Sequence, residues 1–213
     1  VFKVFPIGVV LSDFKDTFRI PLEGAPARIV IYERNAEALK GICDYSHLWV
    51  LCWLHLADTA DYRNILRVRP LRVDPDLPET GVFAGRTPIR PNPLSLTVVR
   101  LVSVHKNILT VDDLDVVDGT PVIDIKPYSP LNDSISSAKF RPLPLKKHKE
   151  RLIRTFFKEA MNFHAEACPG LALGTRMVVE ALLKLEDDVR DYHVMVCAET
   201  GGCIVDAVEA VMG

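Results

Sequence analysis

The sequence predicts a two-part chain: an all-β N-terminal part with a short helix, then an α/β (α+β) C-terminal module. Short β-branched runs separated by Pro-marked turns fill the chain up to about residue 128. The segment Asn132 to Arg141 is polar and Ser-rich, which suits a linker. Beyond it, apolar residues recur at helical spacing. The expected boundaries are 1–135 for the first part, 136–148 for the linker and 149–213 for the second part.

Val4 to Ser12 is apolar and β-branched and reads as a strand, edged or bulged by Pro6, which cannot donate to a ladder. Asp13 to Glu23 is a polar connection, and Arg28 to Tyr32 is a short strand. Asn35 is placed to cap a brief helix through Lys40, closed by Gly41. Tyr45 to Leu56 is nearly all apolar, as for a strand buried on both faces. Pro70 to Thr80 is a loop, and Gly81 to Ala84 reads as a strand end. Leu96 to His105 and Ile108 to Val116 are strands joined by the two-residue connection Lys106-Asn107. In the strand Val122 to Tyr128, alternation places Val122, Asp124, Lys126 and Tyr128 on one face and Ile123 and Ile125 on the other. Such a series of short strands fits a small barrel or a sandwich.

The second part opens with a helix over Leu145 to Phe163, striped by Leu152, Ile153, Phe156, Phe157, Ala160 and Met161. A second helix is expected over Thr175 to Leu185 after Gly174, a strand over Tyr192 to Ala198, and a third helix over Cys203 to Met212. A further sheet partner is expected beyond Gly213, so the module reads as truncated.

The 213 residues are 48% hydrophobic and 25% charged with a formal net charge of -2, so nucleic-acid binding would need a local basic patch. The longest apolar run, Leu48 to Ala57, is interrupted by His55 and is too short to span a bilayer, and no signal peptide is read at the start. Five cysteines without a CxxC spacing argue for reduced thiols and a cytoplasmic protein.

Two loops carry the chemistry. Arg86-Thr-Pro-Ile-Arg90-Pro-Asn-Pro93 sets two guanidinium forks among three prolines that stiffen the chain, which suits a carboxylate-bearing or anionic ligand. The alternative is a rigid surface loop whose arginines pair with nearby carboxylates. Asp118-Gly-Thr-Pro121 is a turn whose backbone is placed either to hydrogen-bond a nucleobase or only to connect strands. The Asp124, Lys126 and Tyr128 face is either functional or an outward, solvated face. His47 reads as a buried, hydrogen-bonded histidine, whereas His55 stands at a strand end, where ligand-facing residues collect. His164 and Cys168, four residues apart, offer two metal ligands, with Cys203 as a third. No GxGxxG, Walker loop, GxSxG or HExxH is present, so a nucleotide-like cofactor would bind outside a Rossmann crevice.

Residues 1 to about 133 resemble the TsaA-like, or TrmO, family of S-adenosylmethionine-dependent tRNA methyltransferases. The resemblance rests on Ile7-Gly8-Val9 with Ser12, on Ser46-His47-Leu48-Trp49, and on two long motifs. These are Gly81-Val-Phe-Ala-Gly-Arg86-Thr-Pro-Ile-Arg90-Pro-Asn-Pro93 and Asp115-Val-Val-Asp118-Gly-Thr-Pro121-Val-Ile-Asp124-Ile-Lys126-Pro-Tyr128. It implies a small single-sheet β-barrel that binds S-adenosyl-L-methionine, usually as a homodimer, and methylates N6 of threonylcarbamoyl-adenosine beside the tRNA anticodon. The implied cofactor contacts are Pro21, Leu22, Glu23, His55, Leu56, Arg86, Leu96, Asp118, Gly119, Thr120 and Pro121. Arg90 and Asn92 are candidate substrate contacts, and Asp124, Lys126 and Tyr128 are candidate catalytic residues. The family often has Pro-Arg-Gln where Pro21-Leu22-Glu23 stands, and commonly Gly where Ser95 stands. Arg63, Arg67, Arg69 and Arg72 either track RNA phosphates or form a solvated charged loop.

From about residue 150 the chain resembles the E subunit-like module of formylmethanofuran dehydrogenase, through Asn162-Phe-His164-Ala-Glu-Ala-Cys168-Pro-Gly and Gly202-Cys203-Ile-Val-Asp206. Glu166 replaces the second histidine of that family's FHGHxCPG pattern, so a zinc site on His164, Cys168 and Cys203 would lack that ligand. Besides tRNA methylation, methylation of a small molecule or cofactor and non-catalytic sensing of S-adenosylmethionine remain open on the sequence.

Overall fold

The computed structural model describes residues 3–72, 77–135, 149–185 and 195–212. The chain divides into two compact units, residues 1–134 and 135–213.

In the first unit six strands close into a barrel in the order β1-β2-β7-β6-β3-β8. With strands numbered along the chain, these are β1 (Gly8–Leu11), β2 (Ala25–Ile31), β3 (His47–Trp53), β6 (Leu94–His105), β7 (Ile108–Leu114) and β8 (Pro121–Pro127). Every neighbouring pair is antiparallel. The long connection from β3 to β6 holds the short helix α1 (Ala60–Arg63) and a two-stranded ribbon, β4 (Arg67–Val68) with β5 (Thr80–Gly81). A four-residue helix, α2 (Pro130–Asp133), follows the barrel.

The period of two decides what lies inside. Val10, Ile29, Leu48, Val50, Cys52, Val99, Leu109, Val111 and Val122 are fully buried and form one core. β3 buries Leu48, Val50 and Cys52, while His47, Trp49, Leu51 and Trp53 are half-buried on the outside. The apolar run therefore marks a strand buried on one face, with aromatic side chains partly covered on the other. β2 starts three residues earlier than expected. Pro26, without an N–H, sits where the register between β2 and β7 shifts, a position that needs no ladder donor. Pro6 lies outside β1. The brief helix is a 3-10 helix over Glu33–Leu39 that begins before Asn35, with no side-chain cap.

β8 departs from simple alternation. Its register against β3 shifts between Leu51 and Cys52, so Asp124 pairs with Leu51 while Val122 pairs with Cys52. This bulge turns Val122 into the core and leaves Asp124 and Lys126 outside, opposite Leu51 and Trp49. The expectation that Val122 shares a face with Asp124 is corrected accordingly.

The second unit is built from α3 (Lys149–His164), α4 (Pro169–Lys184) and α5 (Cys203–Met212). Its helices meet at Ala160, Leu171 and Ala207, with Phe157, Met161 and Ala210 around them. At Gly174 a Cβ would stand 2.8 Å from both Ala207 Cβ and Ile204 O, so the absent side chain lets α4 and α5 approach closely. α4 starts six residues before the expected Thr175. The Leu171 N–H donates to Cys168 Sγ as an N-cap, and Pro169 fits the first turn, where no N–H is needed. The expected linker 136–148 and residues 192–194 of the expected strand lie outside the described residues. Residues 195–198 carry no strand.

Candidate functional site

The antiparallel register collects three connections at one end of the barrel. The C-terminal ends of β1, β3 and β7 and the N-terminal ends of β2, β6 and β8 all lie there. Residues 12–24, 54–72, 77–93 and 115–120 therefore share one mouth. Nearly every cofactor contact expected from the sequence lies in these connections or at the first residue of β8: Pro21, Leu22, Glu23, His55, Leu56, Arg86, Asp118, Gly119, Thr120 and Pro121. Leu96 lies near the start of β6 at the same end, and Arg90 and Asn92 lie in the second connection.

The connections brace one another. Asp118 Oδ1 accepts from Ser12 N–H at 3.0 Å, and Asp118 N–H donates to Phe14 O at 2.7 Å. Gly119 N–H donates to Val10 O at 2.9 Å, and Thr120 N–H to Val117 O at 3.3 Å. The three N–H groups of the turn are thus engaged within the chain, and a base edge meeting it would find carbonyl acceptors. The Thr120 side chain is fully buried and donates to Val117 O at 2.7 Å, so it anchors the turn and does not face a ligand.

Arg72 donates to Ile20 O, joining the second connection to the first. Within the second, Arg63 donates to Asp58 Oδ1 at 2.7 Å and to Pro91 O at 3.0 Å, and its guanidinium lies 5.4 Å over the Trp53 ring. Trp53 Nε1 donates to Asp58 Oδ2 at 3.0 Å. The hydrogen bond from Arg63 holds the Asp58 carboxyl below its ordinary range. Arg63 is therefore a brace of the double-arginine loop. Arg86 Nη2 donates to Leu96 O at 3.1 Å, and Arg90 Nη1 to Thr87 O at 3.3 Å. Both charges thus rest on backbone carbonyls, and a guanidinium has further donors for an anionic ligand.

The mouth offers apolar, cationic and polar side chains to a ligand. Leu22, Leu56 and Leu96 present exposed apolar side chains from three segments. His55 Nδ1 and Ser95 Oγ are the buried side-chain polar atoms without a nitrogen or oxygen partner among the described residues. Ser95 lies opposite Cys52, whose thiol burial pushes up to about 12. A polar ligand group at His55 would satisfy a nitrogen that otherwise has no partner.

The expected catalytic trio does not gather there. Asp124 is paired with Lys126 at 3.1 Å on the outer face. Tyr128 lies beside the rings of Trp49 (5.9 Å) and His47 (6.5 Å), and its N–H donates to His47 O. From Pro121 to Tyr128 the chain runs away from the mouth for seven residues, about 23 Å at ~3.3 Å each. The strand that carries Asp124 and Lys126 separates Tyr128, which follows it, from the turn that precedes it.

In the second unit one ligand atom each from His164, Cys168 and Cys203 lies within 4.8 Å of the others. Ala165, at φ 74°, turns the chain at the end of α3. Cys168 Sγ stands 3.6 Å from His164 Nε2, and His164 Nδ1 is 2.7 Å from Asp206 Oδ2. The Leu171 N–H lowers the Cys168 pKa, the Cys168 sulfur raises that of Cys203, and the Asp206 carboxylate raises that of His164. Two sulfurs and one imidazole nitrogen are a donor set that suits zinc. Asp206 entered the sequence reading only as part of the second resemblance, with no role, although its spacing of three from Cys203 on one helix face was readable there.

A closed six-stranded antiparallel barrel with braced loops at one mouth defines a small β-barrel protein, followed here by a second unit with helices. The chain belongs to the TrmO family: the model described as "tRNA-methyltransferase O N-terminal domain" matches residues 9–134. A second model, "FmdE, Molybdenum formylmethanofuran dehydrogenase operon", matches residues 163–213, in the order the sequence suggested. A probable S-adenosyl-L-methionine-binding protein of Archaeoglobus fulgidus is 37% identical over 97% of this chain; the match spans 57% of that relative's length. A Methanothermobacter thermautotrophicus protein named in the same way is 42% identical over 62% of this chain and 94% of its own. The tRNA (adenine(37)-N6)-methyltransferase of Escherichia coli is 36% identical over 64% of this chain and 62% of its own. The crystal structure of a TrmO superposes with a TM-score of 0.54 at 34% identity, covering 68% of this chain and 66% of that one. No described helix is long and apolar enough to cross a membrane.

Proposed function

We propose that the barrel mouth binds S-adenosyl-L-methionine and that the first unit methylates N6 of an adenosine beside a tRNA anticodon, most specifically threonylcarbamoyl-adenosine. The convergence of the three connections on one mouth carries the reading, and the name of the Escherichia coli relative supports its substrate. Arg86, tethered to the Leu96 carbonyl, receives the cofactor's carboxylate. Leu22, Leu56 and Leu96 cover its apolar parts, and carbonyls of the Asp118–Pro121 turn accept from the adenine amino group. When bound, the sulfonium supplies an electrophilic methyl group. The protein's contribution is then orientation and exclusion of water. Arg90 and Asn92 contact the substrate, and the target base leaves its stack to reach the mouth. Asp124 and Lys126 act as a pair that orders β8, and Tyr128 as part of an aromatic cluster with Trp49. A cytoplasmic homodimer completes the proposal; sedimentation showing only monomer would contradict the dimer.

The pairing of Asp124 with Lys126 favours a second reading, binding without transfer, in keeping with the names of the archaeal relatives. Labelled cofactor and tRNA carrying threonylcarbamoyl-adenosine decide between them. Transfer that disappears in Arg86→Ala supports methylation. Cofactor binding with no transfer to tRNA or to metabolite extracts supports the binding reading.

In the second unit His164, Cys168 and Cys203 hold zinc, and elemental analysis of protein prepared without chelator tests it. One zinc per chain, lost in Cys203→Ser, is expected. Metal-free protein after zinc supplementation would overturn the assignment.

A further inference from the structure

We infer that Asp206 is the positioning residue of the second unit's metal cluster, holding His164 so that Nε2 is its donor atom; this rests on the zinc reading above. A carboxylate accepts only, so the 2.7 Å contact with His164 Nδ1 requires a proton on that nitrogen. The neutral ring then carries its lone pair on Nε2, on the edge that faces Cys168 Sγ at 3.6 Å. The imidazole stands between Asp206 and the cysteine, so Asp206 acts through the histidine and is not itself part of the ligand cluster.

The fold makes this arrangement a property of α5. Cys203 opens α5, and Asp206 lies three residues on, on the same face. One helix thus supplies both a ligand and the group that orients the ligand from α3. Gly170 keeps the space between the sulfurs open: a Cβ there would stand 2.9 Å from Cys203 Cβ, 3.6 Å from Cys203 Sγ and 3.9 Å from Cys168 Sγ. The His164 side chain is only 16% exposed and Asp206 33%, so water is a poor substitute for the carboxylate. A carboxylate behind a ligating histidine fixes its tautomer and raises its basicity, and losing it typically lowers metal affinity about 10–100-fold.

The test uses the full chain in two measurements. In metal-stripped protein at a pH where the ring is neutral, ¹⁵N-edited spectra of the histidine side chains should show His164 protonated on Nδ1. In competition with a chromophoric chelator, Asp206→Ala should bind zinc about 10–100-fold more weakly than the parent. Asp206→Asn keeps the shape and an acceptor oxygen and should fall between them. If Asp206→Ala fails to fold, Asp206→Asn carries the comparison. Parent-like zinc affinity in the variants, or His164 protonated on Nε2 in the parent, would overturn the inference while leaving the metal reading in place. A parent that binds no zinc would end the metal reading and this inference together.

Discussion

Arg86 and Cys52 show how much a single position can decide. The Arg86 guanidinium is held by a neutral carbonyl, so its charge remains available to a ligand. Arg86→Ala should weaken S-adenosylmethionine binding about 10- to 100-fold, as expected for one charge-assisted hydrogen bond at ~1.5–3 kcal/mol. Calorimetry checks this, and unchanged affinity would remove Arg86 from the site. Cys52 makes a different prediction. Burial raises its pKa from 9.0 to about 12, so the unfolded chain gives up that proton first. Its contribution is complete below pH 9, shrinks by about 1.4 kcal/mol per pH unit above that, and levels off near 12. Denaturant unfolding of Cys52→Val should lack this component of alkaline destabilisation. The Asp-Gly turn at 118 was legible as a turn, because two residue types suffice to mark it. That its N–H groups are all engaged was not legible, because Asp118 and Gly119 donate to Phe14 O and Val10 O, far earlier in the chain.

For the elements, apolar runs located β2, β3, β6 and β7, alternation located β8, and a helical stripe located α3. Discrepancies arose where one backbone detail outweighs the pattern. A bulge turns Val122 inward, and a cysteine side-chain cap lets α4 begin at Pro169. The face shared by Asp124, Lys126 and Tyr128 was partly legible. Its outward direction follows from alternation, but its distance from the mouth depends on strand direction within the closed barrel. Element packing predicts mutant stability. Leu109 is fully buried on β7, and Leu109→Ala should destabilise the barrel by ~2–5 kcal/mol in denaturant titration. In Gly174→Ala the new methyl meets Ile204 backbone at 2.8–2.9 Å, so α4 and α5 must separate. A loss of ~1–3 kcal/mol in the second unit is expected, with weaker zinc binding as the helices carrying Cys168 and Cys203 shift. A variant as stable as its parent would show that the two helices can adjust.

Taken whole, the molecule carries a barrel with a mouth and a helical unit whose core is small. Zinc should therefore raise the thermal stability of the second unit, whereas S-adenosylmethionine should raise that of the first, each by ligand linkage. The most direct test of the central claim is an amide NMR titration of the full chain with S-adenosylhomocysteine, a non-reactive cofactor analogue. The proposal predicts shifts at Gly24, Gly85, Gly119 and Leu96, around the mouth, and none at Gly41, Lys106 or Tyr128, at the opposite end. Shifts centred on Gly41 and Tyr128, or none anywhere at saturating analogue, would contradict it.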